Sequence, residues 1–193
     1  MKTARMEAFS DGVIAIAITI MVLELKAPAG AEWKSLRPLL PTFAANLLSF
    51  INIGIYWNNH HHLLQATKSV NGAVLWANLH FLFWLSLMPF TTAWIGNSDV
   101  APLPTAIYGV DLLGCAVGYA SLQWAIVRHE GPTSELKAAL GSDRKEIISL
   151  ALYLTAIAFA WLNTWVSICL YVVVALQWVI PDTRIERRLS QHD

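Results

Sequence analysis

The chain has 193 residues, of which 56% are hydrophobic and 13% charged, with no formal net charge and a mean hydropathy of +0.50. A water-soluble domain carries about 25% charged residues, so this composition excludes one and points to an integral membrane protein. No nucleic-acid partner is expected, and the informative question becomes where the few charges sit.

The first apolar run carries the strongest signal. No proline follows Arg5 until Pro28, so residues 7–26 read as one helix. At ~1.5 Å rise per residue it crosses a hydrocarbon core of ~30 Å. It opens with Arg5, Ser10 and Asp11, and an ionisable group at bilayer depth costs about several kcal/mol unless it lies inside a bundle or beside water. At ~100° per residue, Phe9, Gly12, Ile16, Thr19, Ile20 and Leu23 share one stripe, with Arg5 on its extension. Ser10 and Asp11 fall off that stripe, Asp11 roughly opposite Ile16. One face suits neighbouring helices and the other a pore axis, and periodicity does not say which. A cleaved signal peptide is not expected, because the apolar run is too long and contains Asp11.

Five more apolar segments follow, at residues 38–66, 71–97, 102–128, 145–162 and 164–180. With no internal repeat and no low-complexity tract, residues 1–193 read as a single six-span domain. The connection after Ala27 carries Glu32, Trp33, Lys34 and Arg37. In the polar stretch 129–144, Thr133-Ser134-Glu135 is expected to cap a short extramembrane helix from Leu136 to Leu140. Six spans put both termini on one side, with Lys2, Arg5, Lys68, Arg128, Lys137, Arg144, Lys145, Arg184, Arg187 and Arg188. The other side holds only Lys26, Lys34 and Arg37. This bias predicts a multi-pass protein of the inner (plasma) membrane with both termini cytoplasmic. Trp33, Trp76, Trp94, Trp165 and Trp178 near segment ends fit interfacial belts.

Polar residues inside the spans are the remaining candidates. His60, His61 and His62 suggest a metal or haem site, but consecutive helical residues fan over ~200° and cannot converge on one ion. A haem would need His80 from the third segment. Asp111 is a lone intramembrane carboxylate, read as a satisfied structural group or as a proton relay. Gly114 and Gly118, four apart, allow close helix packing, and Asn163 marks a tight turn. Cys115 and Cys169 read as small buried hydrophobes, with no disulfide or metal site. No nucleophile, base and oxyanion arrangement is present and no nucleotide loop, so no enzyme activity is expected.

Several strings resemble a known family. Arg5-x-x-x-Phe9-Ser10-Asp11 at the start of the first span is similar to the signature of the transmembrane protein 175 family of potassium channels. The run Phe9 to Thr19 resembles its prokaryotic, single-repeat branch. Trp57-x-x-His60 and the stretch Asn78 through Trp84 to Pro89-Phe90 agree with it, and the likeness covers the whole chain.

The resemblance implies an all-α, six-span subunit in a homotetramer, with four first helices lining a central pore. It implies passive, potassium-selective conduction of monovalent cations, with potassium as the permeant ion and no cofactor or bound metal beyond it. Apolar side chains at Ile16, Thr19, Ile20 and Leu23 would form the constriction. Arg5, Phe9, Ser10, Asp11, His60, Asn78 and Trp84 would form a polar network bracing the first helix. The chain has no Thr-Val-Gly-Tyr-Gly loop, so a carbonyl-cage filter is excluded and selectivity must arise elsewhere. The alternative is a proton-coupled secondary transporter using Asp11, Asp111 and the His60 cluster.

Overall fold

Glycine, proline and asparagine set the helix ends in the computed structural model, which describes residues 3–131, Ser134, Leu136 and 144–179. Helix α1 runs Ala4–Leu23, α2 Leu40–Gln65, α3 Gly72–Asn97, α4 Pro102–Glu130, α5 Arg144–Phe159 and α6 Thr164–Val179. A 3-10 turn, Trp33–Leu39, leads into α2. Asn71 caps α3, its Oδ1 accepting the Val74 N–H at 3.0 Å, which satisfies one of the orphan amides of the first turn. Asn163 does the same for α6 through the Trp165 N–H at 3.0 Å. Pro102 starts α4, where its missing N–H costs nothing. Gly131 ends that helix at φ +80, a conformation that favours glycine.

Helix α3 is the hub. It packs on α1 and α2 and most extensively on α4, while α5 packs on α4 and on α6, and α6 also touches both α2 and α4. Glycines make the α3–α4 approach possible. A Cβ on Gly118 would lie 2.8 Å from the Phe81 Cα, and Gly114 sits directly beneath the Trp84 ring. Bulk at either position would force the two backbones apart. Phe81, Leu85, Met88, Leu112, Cys115 and Leu122 fill the seam and are fully or almost fully buried.

Hydrogen bonds pin α2 and α4 to α3 where no solvent can compensate. Thr42 Oγ1 donates to Gly96 O at 3.0 Å, Thr92 Oγ1 to Ser49 Oγ at 2.6 Å, and Ser49 Oγ lies 2.9 Å from the Tyr108 hydroxyl. Thr91 Oγ1 donates to Asp111 Oδ2 at 2.7 Å, while Asp111 Oδ1 is buried without a partner among the described residues.

By length and composition, α1, the unit Trp33–Gln65, α3 and α4 are apolar and long enough to cross a membrane. Within the described residues α5 and α6 have 16 residues each, about 24 Å at the helical rise. Helix α5 is further diluted by Arg144, Lys145 and Glu146 in its first turn. The expected extramembrane helix and the tail after Pro181 lie outside the described residues, apart from Ser134 and Leu136, which are both buried. Cys115 is buried, but Cys169 is exposed on the outer face of α6, so only the former behaves as a core hydrophobe in the isolated subunit.

Candidate functional site

Two lines of residues divide α1. Met6, Ser10, Ile14, Ala17 and Met21, spaced four and three apart, are buried against α2 and α3. On the other side Phe9, Gly12, Ile16, Thr19, Ile20 and Leu23 stand open along the whole helix. Ile16 is 58% and Leu23 79% exposed, against 2% for Ile14 and Met21. Nothing lies within 4 Å of a Cβ placed on Gly12. Both lines are apolar, so hydrophobicity does not choose between them. The choice is made by the polar groups at the N-terminal end.

Ser10 is the pivot. Its hydroxyl donates to Met6 O at 2.8 Å and accepts from Asn78 Nδ2 at 2.9 Å. Asn78 Oδ1 lies 2.8 Å from His60 Nε2. An amide oxygen only accepts, so the proton sits on His60 Nε2. His60 Nδ1 is then a buried acceptor without a partner among the described residues. One chain of three side chains thus ties α1, α2 and α3 in a dry interior, where every member left unpaired would cost about 1–3 kcal/mol.

A second clamp joins α1 to α2 nearer the surface. Trp57 Nε1 donates to Asp11 Oδ1 at 3.0 Å. His61 Nδ1 meets Glu7 Oε1 at 3.0 Å, and Gln65 Nε2 lies 2.9 Å from His61 Nε2. The Trp57 and His61 rings stack with centroids 6.2 Å apart. Glu7 is not singled out by the sequence reading, and His61 enters it only as one of the three consecutive histidines, not as a partner of α1. The available signal was the matched spacing: Glu7 and Asp11 are four apart on one helix, Trp57 and His61 four apart on the other, and such residues share a face.

Not every candidate joins this assembly. Arg5 and Phe9 stand exposed at the N-terminal end of the open stripe. Trp84 faces α4: its Nε1 donates to His80 Nε2 at 3.1 Å and its ring covers Gly114. His80 Nδ1 is 3.4 Å from Ser121 Oγ, and His60 stacks on Phe81. The two histidines therefore serve separate contacts. Among the described residues no group of three His, Cys, Asp or Glu is placed to hold a metal ion. Asp111 bonds Thr91 between α3 and α4, and among the described residues no hydrogen bond links it to the Asp11 or His60 groups.

Among the described residues, an all-helical bundle with four membrane-length apolar helices, the first bonded along one line and exposed along another, defines a multi-pass membrane protein. The sequence model of the family described as endosomal/lysosomal potassium channel TMEM175 matches residues 5–89, which hold the clamp residues of all three helices. A Chryseobacterium protein named as a potassium channel is 55% identical over 192 residues, the full length of both chains. The chain belongs to the TMEM175 family. A crystal structure of a lysosomal potassium-selective channel TMEM175 homolog from Chamaesiphon minutus superposes with a TM-score of 0.79 at 30% identity, covering 93% of this chain and 97% of that one. A human relative, named as an endosomal/lysosomal proton channel, is 23% identical over 168 residues, and the match spans 32% of its length.

Proposed function

We propose that this chain is the subunit of a potassium channel in the bacterial inner membrane, a passive conductor and no enzyme. Residues 1–193 form one domain with six spans and both termini cytoplasmic, α5 and α6 serving as the shorter fifth and sixth spans. Four copies assemble around a cyclic axis, with the open stripe of α1 turned inward. The observation that carries the reading is the split of α1: one line is locked to α2 and α3 by Ser10, Asn78 and His60, and the stripe from Phe9 to Leu23 is exposed in the isolated subunit.

Ile16, Ile20 and Leu23 then form apolar rings, with Thr19 between them. When narrow, such a ring dewets, and an ion cannot shed its water without replacement ligands, so current stops. The Thr19 hydroxyl donates to Ile16 O at 2.9 Å, which leaves its lone pairs to a passing cation. Ser10, Asp11, His60 and Asn78 hold the helix at the tilt that sets the ring diameter, with Arg5 and Phe9 at the cytoplasmic mouth and Trp84 fixing α3 against α4.

The test is potassium efflux from proteoliposomes, with sodium and protons as comparison ions. Ile16→Asn wets the ring, so efflux rises and discrimination against sodium weakens; unchanged flux and selectivity contradict Ile16 as the barrier. Saturable, proton-driven uptake in place of a passive flux would favour the transporter reading.

A further inference from the structure

Asp111 lies in the α3–α4 seam, 2% exposed, and the oxygens around it outnumber the protons available to them. Thr91 Oγ1 is 2.7 Å from Asp111 Oδ2 and 3.2 Å from Met88 O. A hydroxyl has one proton to give. If Asp111 is ionised, both neighbours are acceptors, and the Thr91 proton that goes to Oδ2 leaves Met88 O facing a bare hydroxyl oxygen. Asp111 Oδ1 adds to the shortage, being buried with no partner among the described residues.

Nothing close by offsets a negative charge. The ion pairs Lys34–Glu32 and His61–Glu7 do not include Asp111. Titratable side chains within its electrostatic reach include Tyr56 on α2 and Tyr108 and Cys115 on α4. Neither residue type can supply a positive charge. Hydroxyls on the same turns are engaged elsewhere: Thr92 Oγ1 donates to Ser49 Oγ at 2.6 Å, and the Tyr108 hydroxyl meets Ser49 Oγ at 2.9 Å. A carboxylate desolvated without a counter-charge is heavily penalised.

One added proton resolves these contacts. Placed on Oδ2, it is donated to Thr91 Oγ1, whose own proton then goes to Met88 O. Oδ1 becomes a carbonyl oxygen, which tolerates burial far better than a carboxylate. We propose that Asp111 is a proton-binding site, occupied in the folded protein at neutral pH, and the first donor of a relay from Asp111 through Thr91 to Met88 O. The direction of the Asp111–Thr91 bond is the reverse of the one an ionised carboxyl would impose. The relay staples α4 to the turn of α3 that contains Pro89, where the missing proline N–H removes one bond of the helix ladder. The proton is held at the seam, since among the described residues no hydrogen bond leads from Asp111 to the Asp11 or His60 groups.

Infrared difference spectroscopy of the purified full-length protein in detergent, at neutral pH, reads the protonated carboxyl directly. The wild-type spectrum minus that of Asp111→Asn should contain the C=O stretching band of one carboxylic acid, shifted to lower frequency in protein prepared in D2O. Thr91→Val deletes the acceptor of the relay. It should keep the band and move it to higher frequency, because the acid O–H loses its partner. The wild-type and Thr91→Val pair decides the matter if Asp111→Asn does not fold. A carboxylate band in place of the acid band, or an acid band that Thr91→Val leaves unmoved, overturns the proposal. Ion flux plays no part in the readout, so its failure is distinct from failure of the channel reading.

Discussion

Helices α1 and α4 are both long and apolar, yet the subunit treats them differently. In α4, 56% of the most apolar window is buried, against 28% for α1. Helix α4 is held by shape: Gly109, Gly114 and Gly118 each receive a neighbour's side chain or backbone at contact distance. Helix α1 is held by polar contacts at one end and a single buried line, and its other face is exposed. The comparison separates residues whose loss breaks the subunit from residues whose loss leaves the subunit folded and changes what it does.

The largest effect is expected at the α3–α4 seam. Gly118→Leu drives a side chain into the Phe81 backbone. Overpacking of this kind costs about 1–3 kcal/mol, and occasionally more; the position is against backbone, so the upper end is expected. Detergent-extracted yield and Tm should both collapse. The same change at Gly12, where an added Cβ meets nothing within 4 Å, should leave the isolated subunit folded.

Next comes the buried chain. Asn78→Ala leaves the His60 Nε2–H without its acceptor, while Ser10 keeps only its bond to Met6 O, at about 1–3 kcal/mol for the orphaned group. The measured loss should be non-additive with Ser10→Ala, since both remove the same contact. Additive losses in a double-mutant cycle would mean that the two residues act separately. Smaller again is the Glu7–His61 contact, partly exposed at 28% and 38% of the side chains. Glu7→Gln should cost about 0.2–1 kcal/mol, read as a shift in Tm. Smallest of all is Ile16→Asn. As an exposed position in the subunit, it should change subunit stability by no more than about 0.5 kcal/mol, while flux changes severalfold.

Much of this architecture is legible in the sequence because apolar runs end at residues with a local reason to end them. Asn71, Pro102 and Asn163 mark helix starts, and Gly131 a stop. The expected span 102–128 and the observed helix Pro102–Glu130 differ by two residues, and 71–97 and Gly72–Asn97 by one. The stripe on α1 follows from helical geometry alone; all six of its positions from Phe9 to Leu23 are exposed in the structure, on an open face that is broader and also takes in Ala8, Ala15 and Val22. What geometry could not supply is which stripe faces the bundle, because Ile14 and Ile16 are chemically identical and differ only in what tertiary packing brings to them. Pairings between helices were equally hidden. Trp84 lies on the same helix as Asn78, but its contact is with Gly114 on α4, a relation that no local spacing announces. The clamp between Trp57 and Asp11 depends on the relative rotation of α1 and α2, which appears only once both have packed on α3.

The most direct test of an inward-facing stripe is thiol accessibility along α1. In a background carrying Cys169→Ala, to remove the exposed native thiol, Ile16→Cys and Ile14→Cys are treated with a small cationic thiol reagent during potassium efflux. The account predicts that modification at position 16 slows efflux progressively and that position 14 stays inert. Block at 14 with none at 16, or reaction at 16 without any change in efflux, would contradict it.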